Sequence, residues 1–234
     1  MISIIIPTLN EGKYLNKALL AIKGQKCDDE FEIVVSDSYS DDNTQEIAKR
    51  HGARVVLSER LGPAVGRNQG AKVAKGDILV FIDADTLPSE NVLARITDLL
   101  EKRGDVIGGT CQFLPSGGGL VDWFLYALTN ATARIMIKFG IPQDPGYCFF
   151  YRRKVFEKLG GLREDLVMNE THDLAIRSKP YGKFVYLNVP VFTSLRRYKK
   201  VGYFRTLGTY IKSTIAYFRK GEVPKSEFKF EPVR

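Results

Sequence analysis

The sequence predicts an α/β chain: a mostly parallel sheet flanked by helices, ending in a helical segment rich in aromatic and basic residues. Through the first hundred residues, short continuous β-branched runs alternate with helically spaced apolar positions, the pattern of strands buried on both faces. At 234 residues and 44% apolar content the chain can bury an ordinary core. Polar clusters rich in carboxylates follow three of the runs.

Ile2–Ile6 is the first such run, ended by Pro7-Thr8-Leu9-Asn10, and Glu11 to Lys23 spaces Leu15, Ala18, Leu19 and Ile22 helically. The pattern recurs with strand Phe31–Ser36, helix Thr44–His51, strand Arg54–Leu57, helix Ala64–Ala74 and strand Ile78–Ile82. A helix over Ser89–Lys102 starts at a Pro-Ser turn suited to capping, and a strand over Asp105–Phe113 follows. After Pro115-Ser-Gly-Gly-Gly119 come a long aromatic helix, a turn at Pro145-Gly146, a strand over Tyr147–Tyr151 and a helix from Arg152 to Gly160-Gly161. Helix Thr171–Lys179, strands Phe184–Leu187 and Val191–Leu195, and helix Tyr203–Arg219 complete the reading.

Cys27, Cys111 and Cys148 lie far apart, without metal-type spacing, and an odd count argues against a disulfide framework. A reducing, cytoplasmic setting fits. The N-terminal apolar run breaks at Pro7 and lacks a basic leader, so it reads as a strand and not a signal peptide. The longest apolar stretch, Leu120 to Ile141, contains Asp122, Arg134 and Lys138, against the charge-poor run of roughly 20 residues that a spanning helix needs. Net charge is +8, and residues 194–234 hold 11 Lys/Arg against 3 Asp/Glu, so the rest of the chain is neutral. A basic tail can meet phosphates, anionic lipid or nucleic acid.

In open parallel sheets ligands bind beyond the carboxyl ends of the strands. There the chain has Thr8, Asn10 and Glu11; then Asp37, Ser38, Ser40, Asp41 and Asp42; then Asp83-Ala84-Asp85. A spacing of two places both carboxylates of the last group on one side of an extended backbone, where a cation relieves their repulsion. Hard oxygen ligands suit Mg2+ or Mn2+, which bridges to substrate phosphates. Two solvated surface acids are the plainer reading of an isolated Asp-x-Asp; position after a buried strand favours the metal. Gly62-Pro-Ala-Val-Gly-Arg-Asn68 stands where a loop meets a helix, a place for phosphate, although it matches neither the phosphate loop nor the dinucleotide fingerprint.

Together, Ser3-Ile-Ile-Ile-Pro-Thr-Leu-Asn-Glu11, Val34-Val-Ser-Asp-Ser-Tyr-Ser-Asp-Asp-Asn-Thr44, Gly66-Arg-Asn68, Gly76-Asp-Ile-Leu-Val-Phe-Ile-Asp-Ala-Asp-Thr86, Arg152-Arg-Lys-Val-Phe-Glu-Lys-Leu-Gly-Gly161 and Glu170-Thr-His-Asp-Leu-Ala-Ile-Arg177 resemble family 2 glycosyltransferases. The resemblance implies the GT-A fold, a Rossmann-like mostly parallel sheet, in one domain over 1–200. Residues 1–110 would be the nucleotide-sugar half, 111–200 the acceptor half, and 201–234 a basic aromatic helix and tail. It also implies an inverting transfer of sugar from a nucleotide diphosphate, with UDP favoured and GDP next. Pro7, Thr8 and Glu11 would line the base and ribose site, Asp37 would accept from the base, and Arg67 and Asn68 would lie beside the nucleotide. Asp85 would be the main metal ligand, and Asp83 would lie near the ribose and the metal's waters. Arg196 and Arg197 follow the last strand and would close over the diphosphate.

One departure stands out: where the family has an acidic pair followed by another acid and Leu, this chain has Glu170-Thr171-His172-Asp173-Leu174, with Thr171 at the expected base position. Asp173 is then the first candidate base and Glu170 the second, against an acidic helix start that only complements the dipole. His172 is a candidate for phosphate or metal. Leu120–Lys138 and Gly202–Lys220 interleave aromatic and basic residues, which suits peripheral contact with the cytoplasmic face of a membrane and a lipid-linked or glycan acceptor, or else core packing or a homodimer. Three rivals remain: a sugar nucleotidyltransferase, which would want a glycine-rich basic loop after the first strand; a non-catalytic membrane-surface or nucleic-acid binder, which leaves the recurring carboxylates unexplained; and an inactive homologue, suggested by Thr171. Nucleic acid is not expected as a partner.

Overall fold

Ile2, Ile4 and Ile6 point to one face of their strand and Ile5 to the other, and all four are completely buried, so the strand needs apolar cover on both sides. The computed structural model, which describes residues 1–58, 62–221, 223 and 228, supplies it with helices. The elements are β1 (Ile2–Thr8), α1 (Gly12–Lys23), β2 (Phe31–Asp37), α2 (Thr44–Arg50), β3 (Arg54–Leu57), α3 (Pro63–Val73), β4 (Ile78–Ile82), β5 (Thr86–Pro88), α4 (Val92–Lys102) and β6 (Val106–Pro115). Then come α5 (Leu120–Lys138), β7 (Cys148–Arg152), α6 (Arg153–Lys158), α7 (Glu170–Ser178), a 3-10 turn over Lys179–Tyr181, β8 (Lys183–Thr193), α8 (Arg196–Val201) and α9 (Tyr203–Lys220). The C-terminal tail expected after α9 lies outside the described residues except at Gly221, Val223 and Phe228.

The strands form one sheet in the order β3-β2-β1-β4-β7-β6-β8-β5. Pairs β3/β2, β2/β1, β1/β4 and β6/β8 are parallel, while β7 is antiparallel to both of its neighbours and β5 to β8. The register Thr8↔Asp37 aligns the carboxyl ends of β1 and β2. On one face Ile2, Ile4 and Ile6 pack with Leu15, Leu19 and Ile22 of α1; on the other Ile5 packs with Ala64 and Ala71 of α3. Each such Ile or Leu contributes about 1.5–3 kcal/mol by leaving water.

Helix α3 lies unusually close to the sheet, and two glycines one turn apart permit it. A Cβ on Gly70 would stand 2.5 Å from Ile5 Cγ2, and one on Gly66 3.2 Å from Pro7 Cβ. That approach delivers Arg67 to the carboxyl edge of the sheet.

Several boundaries differ from the sequence reading. The two strands expected over Phe184–Leu187 and Val191–Leu195 are one strand, β8, with a register shift against β6 between Cys111 and Gln112. Pro190, which has no N–H to donate, falls at that irregularity. The helix expected from Ser89 starts at Val92, because Ser89 and Asn91 bond to each other and no side chain caps the helix. Strand β5 and helix α8 carry no sequence signal: one has three residues and the other is Arg-Arg-Tyr-Lys-Lys-Val, too short and too polar for a periodic pattern.

Candidate active site

Beyond β1 and β2 the loops are held by one carboxylate. Asp37, fully buried, accepts from the Thr8 hydroxyl at 2.8 Å, from Ser40 N–H and hydroxyl at 2.9 and 2.6 Å, and from the Gln45 amide at 2.8 Å. Asn10 and Tyr39 adopt left-handed conformations here (φ 56° and 59°), costly for residues with a Cβ. The two loops are tied by Asn10 N–H to the Ser40 hydroxyl and Asp41 N–H to Asn10 Oδ1, both 2.8 Å. Pro7 and Thr8 therefore form a rigid rim, Tyr39 standing exposed on it.

Beyond β4 the chain turns at once into β5, so Asp83-Ala84-Asp85 is a turn and not the extended segment expected from its spacing; Thr86 N–H bonds Asp83 O at 2.9 Å. Each carboxylate has its own arginine. Arg67, 4% exposed, donates to Asp83 Oδ1 and Glu170 Oε1, both at 2.8 Å, and to Gly146 O at 3.1 Å. Arg196 donates to Glu11 through both terminal nitrogens at 2.7 Å and from Nε to Asp85 Oδ2 at 2.8 Å. Burial pushes Asp85 up to about 7, with Asp83 and Glu11 adding to the rise and Arg196 opposing it. Burial likewise works against the charge of Arg67, but Asp83 and Glu170 hold its pKa above the ordinary value.

Three carboxylates, Glu11, Asp83 and Asp85, thus converge beyond β1 and β4, each paired with a guanidinium that opposes the cost of burying it. These hard oxygens fit a divalent cation that takes its other ligands from water and a diphosphate. Among the described residues, no group of three or more His, Cys, Asp or Glu forms a ready-made cage. His172 does not complete one: its ring bonds the backbone at Asp144, and burial lowers its pKa to about 4, leaving it neutral.

Helix α7 sets the remaining carboxylates. Asn169, left-handed at φ 66°, starts it, and Glu170 in its first turn meets Arg67. Thr171 donates to Asp144 O at 2.8 Å. Asp173 faces elsewhere, taking Arg177 Nε at 2.6 Å and the Tyr217 hydroxyl at 2.9 Å, with Arg163 at 3.7 Å. Asn68 uses its amide on Leu162, at 2.8 Å to the carbonyl and 2.9 Å from the N–H, and on Glu164 at 3.0 Å; it pins the loop after α6. Arg197 follows Arg196 in the first turn of α8, its charge felt by Tyr198 and Tyr210.

Asp144 was missed from sequence, where Gln-Asp-Pro-Gly reads only as a turn. Its side chain is 1% exposed, Oδ1 accepts Gly146 N–H at 2.9 Å, and Oδ2 has no partner among the described residues. Burial raises its pKa from 3.8 to about 7. The fold therefore prefers the protonated form: this stabilisation is complete below about pH 4 and disappears as pH rises through 7. Asp144→Asn should match the wild type in stability near pH 4 and exceed it at pH 8 by up to about 4 kcal/mol, at 1.36 kcal/mol per unit. Thermal unfolding of both across that range checks it; parallel curves would refute the buried carboxyl.

The model of the family described as Glycosyl transferase family 2 matches residues 3–160 of this site-bearing chain. The chain belongs to glycosyl transferase family 2. The PGL/p-HBAD biosynthesis glycosyltransferase of Mycobacterium bovis is 30% identical over 207 residues, 82% of this chain and 75% of that protein. Overall the chain spans 25% of the first curated relative it matches, and 57% and 46% of the next two. Two solved structures share the GT-A fold of this family 2 chain at 22% identity. Glucosyl-3-phosphoglycerate synthase of Mycobacterium tuberculosis, crystallised with Mn2+, uridine diphosphate and glucosyl-3-phosphoglycerate, has a TM-score of 0.69 over 95% of this chain and 80% of its own. The mannosyltransferase PcManGT of Pyrobaculum calidifontis, crystallised with GDP-mannose and Mn2+, has 0.68 over 95% and 65%. In the family 2 framework Glu170, Asp173, Arg196 and Arg197 lie beyond the matched segment, so their roles depend on this chain's own geometry.

Proposed function

We propose that this chain transfers a sugar, with inversion, from a nucleotide diphosphate sugar to an acceptor hydroxyl or phosphate, with Mg2+ or Mn2+ at Asp85 and Asp83. The observation that carries this reading is the convergence of Glu11, Asp83 and Asp85 at the carboxyl edge of a parallel sheet, with two arginines holding them. A bound divalent ion supplies charge neutralisation of the diphosphate leaving group. Pro7, Thr8 and the loop organised by Asp37 form the shelf for the nucleoside; UDP is the favoured donor nucleotide and GDP the next, in keeping with the ligands of the two solved relatives. Arg196 and Arg197, after β8, suit contact with the diphosphate.

We take Glu170, before Asp173, as the group that removes the acceptor proton. Glu170 Oε1 is held by Arg67, which fixes the carboxylate 2.8 Å from the same guanidinium that holds Asp83. Asp173 is saturated by Arg177, Tyr217 and Arg163 and has a positioning role. A single displacement requires the base on the acceptor side of the sugar and the leaving group on the other.

For the acceptor, we favour one carried on a lipid. Leu120, Phe124 and Phe139 along and just after α5 are 90%, 66% and 76% exposed, and Phe204 and Phe218 of α9 are 94% and 58% exposed. Arg205, Lys212, Arg219 and Lys220 share α9 with them, the mixture that suits an anionic lipid surface. No helix among the described residues is long and apolar enough to cross a membrane. Sedimentation with anionic vesicles that weakens as salt rises is expected; none at low salt would assign this face to a second subunit.

The decisive experiment is thermal unfolding with UDP, GDP and their sugar conjugates, with and without Mn2+, on wild type and Asp85→Ala. A ligand at ~100 times its dissociation constant adds roughly 2.7 kcal/mol. Metal-dependent stabilisation by one nucleotide, absent in Asp85→Ala, is expected; no shift with any of them would sink the proposal.

A further inference from the structure

We propose that Arg196 is an exchangeable internal cation of the donor site: it competes with the metal ion for Asp85 and Glu11, and transfers to the diphosphate when metal and nucleotide bind together. The inference deepens the proposed donor site and rests on it.

The two arginines that neutralise the carboxylates are built differently. Arg67 is 4% exposed, lies in the middle of α3, and bonds two carboxylates and a backbone carbonyl at once. It has nowhere to go. Arg196 opens α8, a six-residue helix bounded by Leu195 and by Gly202 at φ 92°, and its side chain is 20% exposed. Its guanidinium spends three N–H groups on Glu11 and Asp85 and stacks 4.8 Å over the Tyr14 ring.

The position is the one a metal requires. Nε of Arg196 occupies Asp85 Oδ2 at 2.8 Å, whereas a magnesium-like ion sits about 2.1 Å from its carboxylate oxygen. Cation and guanidinium would then stand within a few ångströms of each other, and like charges that close repel by several kcal/mol even at the effective dielectric of a protein surface. One of them must leave. A diphosphate arriving with the metal offers the departing guanidinium a two-pronged acceptor equal in geometry to the Glu11 carboxylate it gives up. The divalent ion brings one positive charge more than the guanidinium it replaces and the diphosphate brings the compensating negative charge, which makes nucleotide and metal bind more tightly together than either does alone.

Binding of Mn2+ alone, followed by the loss of the free-ion electron paramagnetic resonance signal, tests the exchange in wild type, Arg196→Gln, Arg196→Lys and Asp85→Asn. If the arginine holds the carboxylates about nine-tenths of the time, its removal raises Mn2+ affinity roughly tenfold. Arg196→Gln is expected to do this and, with Mn2+ present, to bind UDP or GDP roughly tenfold more weakly. Arg196→Lys, a single point charge that cannot span both carboxylates, is expected to fall between, and it decides the matter should Arg196→Gln fail to give the wild-type near-ultraviolet circular dichroism. Equal or weaker Mn2+ binding by the folded variants would overturn the exchange and leave Arg196 a structural tie. Mn2+ binding retained in Asp85→Asn would sink the metal assignment itself, and the exchange with it.

Discussion

Methionine in place of Arg67 is expected to lower the stability of the chain by about 3–5 kcal/mol, the cost of leaving buried charges uncompensated. The guanidinium is the common partner of Asp83 and Glu170, whose side chains are 30% and 11% exposed, and it also bonds Gly146 O. Methionine fills a similar volume, so the loss reads electrostatics and hydrogen bonds more than a cavity. Urea unfolding at pH 7 measures it; a loss under about 1 kcal/mol would mean that water compensates the carboxylates and that Arg67 does not hold the site together.

Glu170→Gln is expected to reduce turnover by about 100- to 10,000-fold, the range for removing a general base. It should leave donor binding and stability nearly intact, since the amide keeps an oxygen for Arg67 and Asp83 keeps its own bond. Asp173→Asn should do the reverse. It weakens contacts to Arg177, Arg163 and Tyr217, so the melting temperature should fall while turnover of the folded fraction changes far less. Measuring turnover per folded molecule for both variants separates the roles. A greater loss of turnover in Asp173→Asn would return the base to that residue.

The carboxylate edge of this candidate site was legible in the chain because its parts are local: each polar cluster follows a short β-branched run, and a parallel sheet brings all such clusters to one edge. Asp37, Asp83 and Asp85 arrive there by strand alignment alone. The other wall was not legible. Whether Asp173 or Glu170 meets the cleft depends on Tyr217, 44 residues beyond Asp173, and on Arg67, 103 residues before Glu170. Positions three apart on a short helix give no hint of which is covered. Asn68 illustrates the same limit: the motif placed it beside nucleotide, but its amide is spent on Leu162 and Glu164. Asp144 left no trace, because the burial of a loop carboxyl is a property of what packs over it.

Helix α9 is fastened near both of its ends. Tyr203 donates to Asp122 of α5 at 2.5 Å and Tyr217 to Asp173 of α7 at 2.9 Å, while Arg163 reaches Gly221 O at 2.8 Å just past the helix. Below it, Leu166 and Met168 pack with Val223 and Phe228. A boundary drawn at residue 200 would therefore cut through shared bonds and not between units. The last helix and α7 share the Tyr217–Asp173 bond, so the outer side of α9 and the segment that carries Glu170 are parts of one packed unit.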